Sequence, residues 1–147
     1  MVSKSKIWFL ILMALLTFLA ASCQPEPVMP DDARVLILDP SAGATLSARD
    51  VTIRTFVDYF KLTDKSGQAI QPGEGHLIFY MDVTPPVRKG DSALTAEGTY
   101  FVTINTSHTW SAVLPGKHVF WVQLVNNDNT PLEPAAAVRV PVTIRTP

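Results

Sequence analysis

The sequence predicts a small all-β domain, an antiparallel two-sheet sandwich of about seven strands, behind an N-terminal export leader. Three observations predict it. Apolar and polar residues alternate with period two in most segments after residue 33. Clusters of Pro, Gly, Asn, Asp and Ser separate nearly all of those segments. No window beyond the leader carries a helical period.

The leader comes first. Met1 to Lys6 carries Lys4 and Lys6, Ile7 to Ala20 is a 14-residue uncharged and almost wholly apolar run, and Ala21-Ser22 is small. A charged start, an apolar middle and a small-residue end make a secretory signal over residues 1–22. The apolar run falls short of the ~20 residues that a bilayer-spanning helix needs. Leu19-Ala20-Ala21-Ser22-Cys23 resembles a bacterial lipobox, in which small residues precede a Cys that takes diacylglycerol before cleavage on its amino side. Ala20 stands where Leu is commonest in that family. The resemblance implies a covalent lipid on Cys23. It also implies an exported protein held at the cell membrane or outer membrane, with its domain facing the periplasm or the exterior. Gln24 lacks the Asp that in such proteins favours the inner membrane, so the choice of membrane stays open.

Residues 23–32 follow as a tether. Gln24 to Asp32 (QPEPVMPDD) holds three prolines and three acids, which deny it a helix or a ladder. The domain is residues 33–147. Removing the leader leaves 125 residues, enough for one ordinary core without metal or disulfide. Cys23 is the single cysteine, so no intrachain disulfide exists. With Lys4 and Lys6 lost in the leader, ten basic residues face thirteen acidic ones, a net −3. No basic stripe marks a nucleic-acid footprint.

Within the domain, Val35 and Ile37 mark a first strand and 40–48 a turn. Val51, Ile53, Thr55 and Val57 form a second, where Phe56 and Phe60 suggest a bulge. Residues 63–75 are a polar loop. His76 to Val83 is a third strand with Leu77, Phe79, Met81 and Val83 on one face and His76, Ile78, Tyr80 and Asp82 on the other. Residues 84–98 form a long loop. Tyr100 to Ile104 and Thr106 to Trp110 make two short strands, with Trp110 a core anchor. His118 to Val125 is the strongest strand, 126–134 is a turn-rich loop, and Val138 to Ile144 closes the domain. Pro141 in that last strand argues for a sheet edge.

Leu114-Pro115-Gly116-Lys117-His118 resembles the corner of immunoglobulin-like sandwiches, where an aliphatic residue, Pro-Gly and an aromatic open a strand. His118 takes the place usually held by Tyr, and an imidazole N–H can make a similar backbone bond. The chain is also similar to a group of exported Ig-like domains. That likeness rests on Gly73-Glu74-Gly75-His76, on Pro115-Gly116-Lys117-His118-Val119-Phe120 and on Val122 to Leu132 (VQLVNNDNTPL). Members often carry further histidines where this chain has Ile78 and Asn129, which weakens any metal role carried over. The resemblance implies an Ig-like sandwich and no established activity.

Two sets of residues are candidate sites. His76 and His118, completed by Asp82 or Asp128, are the imidazole and carboxylate types that copper and zinc favour. Against that stand structural roles: a corner bond for His118, a turn bond for His76, a surface place for His108, and turn chemistry for the Asn126–Asn129 cluster. Tyr80, Trp121 and Ile78 share a parity that would place them on an outer face as a partner-binding patch, unless loop 84–98 shields them. No Gly-x-Ser-x-Gly or His-Glu-x-x-His motif occurs. The expected function is therefore a non-enzymatic binding module at the cell envelope, meeting a protein, a glycan or another module. It requires no cofactor beyond the lipid on Cys23, and loops 63–75, 84–98 and 126–134 carry recognition. A copper- or zinc-binding envelope protein is the alternative.

Overall fold

The computed structural model describes residues 33–47 and 49–145, and those are all β-strand, turn and loop. The leader, Cys23 and the tether lie outside the described residues. Nine strands run in order: β1 Arg34–Asp39, β2 Ala44–Leu46, β3 Val51–Asp58, β4 Lys61–Leu62, β5 Glu74–Met81, β6 Tyr100–Thr103, β7 Ser107–Trp110, β8 Gly116–Asn126 and β9 Pro131–Ile144. A three-stranded sheet, β1-β3-β7, packs on a six-stranded sheet, β2-β9-β8-β5-β4, with β6 also paired to β5.

The period-two alternation makes this packing. Val35, Val51 and Ile53 point inward from the small sheet, and Leu77, Phe79, Phe120, Val122 and Leu124 point inward from the large one. Burial of such side chains supplies about 1.5–3 kcal/mol each before chain entropy is subtracted. Trp110 packs against the rim of this core.

β5 departs from a one-sided strand, because His76, Ile78 and Tyr80 on its second face are as buried as Leu77 and Phe79 on its first. Loop 84–98 lies over that second face. Its Ala93 forms a second small core with Ile78, Tyr80 and Val125, flanked by Trp121. Shielding therefore prevails over the exposed patch: Tyr80 and Ile78 present no surface to a partner.

Other expectations shift. The turn at 40–48 contains β2, which runs parallel to the end of β9, Ala44 beside Val142 and Leu46 beside Ile144. Two- and three-residue strands such as β2 and β4 are too short to show a period. The bulge lies in β1, between Ile37 and Asp39, and not at Phe56. Phe56 simply faces outward, and β3 has ended before Phe60, the chain turning at Tyr59 with φ 53°. β9 begins at Pro131, inside the expected loop, with residues 132–135 bulged out between the Val125–Pro131 and Leu124–Ala136 pairs. Pro141 is exposed, yet β9 is not an edge strand of its sheet: the Pro141 carbonyl accepts the Gly43 N–H at 2.7 Å as β2 comes alongside.

Candidate functional site

The four residues proposed for metal fall at opposite ends of one strand pair. β5 and β8 are neighbours, with His76 opposite Val125. His118 lies seven positions from Val125 along β8. At ~3.3 Å per residue that separates the two imidazoles by roughly 23 Å. Among the described residues no group of three or more His, Cys, Asp or Glu side chains converges.

Each end is instead a polar clasp. At one, His118 Nε2 donates to the Leu114 carbonyl at 2.8 Å and Nδ1 meets Asp82 Oδ2 at 2.7 Å. Asp82 Oδ1 also accepts the Val119 N–H at 2.9 Å. Both ring nitrogens face acceptors, so the imidazolium satisfies both. Partial burial opposes that charge, but the Asp82 hydrogen bond, the Leu114 carbonyl and the Asp82 charge outweigh it and raise the His118 pKa.

At the other end, His76 Nε2 bonds Asn129 Oδ1 at 3.0 Å, while Nδ1 is buried without a partner. Burial drives the His76 pKa down against the pull of Asn129 and Asp64, so the ring is neutral with its proton on Nε2. Glu74 Oε1 accepts Lys65 Nζ at 2.6 Å and Asn127 Nδ2 at 3.1 Å. Those bonds, with the Lys65 and Lys61 charges, hold its carboxyl below the usual range despite some desolvation. Thr63 Oγ1 donates to Asn127 Oδ1, and Ser66 Oγ to Asn129 Oδ1 at 2.8 Å. Asp128 Oδ1 accepts the Thr130 N–H and hydroxyl, at 3.0 and 2.6 Å, as a turn-forming Asp does. The motif residues Glu74, His76, Asn127 and Asn129 thus fasten loop 63–75 to the β8–β9 turn.

His108 is not the exposed strand residue expected. Phe101 of β6 stacks on it at 4.0 Å, Trp110 meets it edge-on at 4.8 Å, and burial lowers its pKa. Trp121 is half-buried under Arg139, whose guanidinium sits 5.6 Å from the ring centre.

The pH dependence has a definite sign. A raised His118 pKa adds stability that is complete below its unfolded value near 6.5 and lost as pH rises through the folded value. His76 and His108, both lowered, act oppositely, their contribution being present above about 6.5 and lost as pH falls. The stability difference between the parent and His118→Gln is therefore expected to shrink between pH 6 and 8, measured by urea midpoints. A difference flat across that range would show that folding leaves the His118 pKa unshifted.

Where loops 63–75, 84–98 and 126–134 converge, they leave an open groove of about 310 Å³. Phe60, Ile70, Pro72, Leu132 and Pro134 make it mostly apolar, with Ala33, the first described residue, beside them. Asp128 and Thr130 also line it, as do Lys89 and Glu133, which pair across 3.0 Å. Ile70 is about half exposed, at 49%. A pocket of this size, apolar with a few polar groups, is the ordinary form of a ligand site. The sequence indicated these three loops and, of the lining residues, Asp128 as a candidate ligand; the apolar walls Phe60, Ile70, Pro72 and Pro134 belong to no chemical motif.

No family model and no curated protein matches this chain. Among solved structures it is similar to an engineered protein crystallised by the Northeast Structural Genomics Consortium, at 14% identity and TM-score 0.42. The match covers 79% of this chain but only 21% of the other. The chain thus spans about a fifth of that neighbour, and likeness at this level carries no argument.

Proposed function

We propose that the protein is a membrane-anchored extracytoplasmic lipoprotein whose domain is a non-enzymatic binding module, and that the loop-end groove is its ligand site. The groove carries this reading: three loops on a rigid sandwich converge to hold open an apolar concavity of about 310 Å³. The strand division supports an Ig-like sandwich. The first, third and seventh strands share one sheet, while β5, β8 and β9 share the other, as strands A, B and E and strands C, F and G do in that fold. The His118–Leu114 bond stands where the tyrosine corner would make its own.

The position of Ala33 adds a second argument. Ala33 at the groove lies ten chain positions after Cys23, a reach of at most roughly 35 Å. A partner would be met close to the lipid surface. The copper or zinc alternative has no support, since its two histidines lie at opposite ends of β5 and β8.

Photo-crosslinking in intact cells tests the site. A benzophenone side chain at Ile70 is expected to give one discrete adduct with an envelope component, and the same group at Lys117, on the far end, none. Adducts of equal kind and yield from both positions would overturn the groove. Leu132→Asp is expected to reduce the Ile70 adduct about tenfold or more, a charge being placed among apolar walls. Intact mass of membrane-extracted protein tests the anchor, the expected species being one with diacylglyceryl on Cys23 and residues 1–22 removed; a free thiol there would overturn it.

A further inference from the structure

The outer face of the three-stranded sheet carries Leu36, Leu38 and Phe56, which are 51%, 57% and 49% exposed. Leu36 and Phe56 stand directly opposite each other across β1 and β3. The pairs that flank them on that face are charged. Arg34 stands opposite Asp58 on one side, and Asp39 opposite Arg54 on the other. An apolar centre between two pairs of opposite sense is a patterned surface, unlike scattered exposed residues.

We infer that this face pairs with the same face of a second copy of the chain. The charge order is self-complementary. Under a two-fold axis lying along the strands, β1 of each copy covers β3 of the other. Leu36 then meets Phe56, Arg34 meets Asp58 and Asp39 meets Arg54, in both directions. Packed sheets cross at about 30°, and at roughly 7 Å along the strands from the Leu36–Phe56 pair that displaces the charged pairs by about 4 Å.

A two-fold axis across the strands also matches opposite charges, but it points the two Ala33 ends in opposite directions. The axis along the strands keeps both ends on one side, so both tethers reach one membrane. That choice rests on the membrane-anchor reading proposed above. So does the strength of the pairing. β1 and β3, of up to eight residues each, cover one another over roughly 250 Å² of sheet. That is about a third of the ~800 Å² per partner of a standard stable interface. Dilute copies pair weakly through such a face, and anchoring supplies the local concentration that pairs them.

Cysteine cross-linking of the full chain in membranes tests this. Two differently tagged copies are co-expressed, one with Leu36→Cys and one with Phe56→Cys. Under mild oxidation the mixed Leu36–Phe56 adduct is expected to exceed the Leu36 self-adduct. The parent chain, and Val87→Cys on another surface, are expected to give little. Mixed adduct no higher than the Val87 control overturns the pairing, and a predominant Leu36 self-adduct overturns the chosen axis. An all-acidic face in both copies (Arg34→Glu with Arg54→Glu) is expected to lower the mixed adduct about fivefold or more by like-charge contact. Combining that copy with an all-basic one (Asp39→Lys with Asp58→Lys) is expected to restore it, which misfolded variants would not do. Fractionation of the same samples reads the anchor separately. Membrane-bound protein without adduct overturns the pairing alone. Soluble protein overturns the anchor, and the pairing then stands or falls on the adduct.

Discussion

Gly75→Ala is expected to cost about 3 kcal/mol or more, at the upper end of what overpacking does, and to lower Tm by roughly 10 °C or more. Gly75 is buried in β5 opposite Asn126. A methyl on its Cα would collide with the Val125 carbonyl oxygen and stand 3.0 Å from Phe60 Cζ. The oxygen belongs to the central strand and cannot swing aside as a long side chain can. The Gly75 carbonyl meanwhile accepts the Thr63 N–H at 2.7 Å, so a shift of β5 would also disturb the entry to loop 63–75. Gly43→Ala separates this cause from a general dislike of lost glycines. There φ is 78° and no atom lies within 4 Å, so the cost is that of the left-handed conformation, about 1–2 kcal/mol. Thermal melts of the two variants check the order. Equal losses would mean that β5 and β8 can separate without penalty.

Tyr80→Ala is expected to cost about 3–5 kcal/mol, and Tyr80→Phe about 1–3 kcal/mol. The side chain is fully buried, and its hydroxyl lies 2.9 Å from the Ala93 carbonyl and 2.8 Å from Gln123 Oε1. One proton serves both acceptors. Burial raises the phenol's pKa far above neutrality, so the proton stays in place. Gln123 Nε2 then donates to the Pro86 carbonyl at 2.9 Å. Tyr80 and Gln123 together hold loop 84–98 down on β5 at two points. Tyr80→Phe keeps the ring and removes that bond, so its effect is expected to concentrate in the loop. Amide exchange at residues 87–95 should quicken well beyond the change at β8, while Tyr80→Ala should quicken both. Uniform acceleration in the Phe variant would show that the loop is held by packing alone.

Alternation made most of the fold legible. Val51-Thr52-Ile53-Arg54-Thr55 alternates in sequence and in burial. The faces of β5 were legible for the same reason, but not which of them is covered. Periodicity reports parity, and the cover over Tyr80 and Ile78 comes from Ala93, in a loop with no period of its own. The histidines show the opposite difficulty. His76 and His118 lie on neighbouring strands, yet antiparallel register decides whether neighbours share an end, and the 82–115 connection between β5 and β8, which carries β6 and β7, holds no signal for it. The groove was legible only as three loops. Ile70, Pro72 and Leu132 acquire meaning from convergence, which is a property of the fold.

The parallel contact of β2 with β9 has a consequence for how the chain is made. Residues 44–46 must wait for residues 142–144, and the core lacks Val140, Val142 and Ile144 until the last strand arrives. Contacts so distant in sequence close slowly. A partial chain therefore lacks part of its core and the partner of β2 until nearly all of it has been delivered. Under the export proposed above, a polypeptide threaded through a channel before folding is served by that order of events.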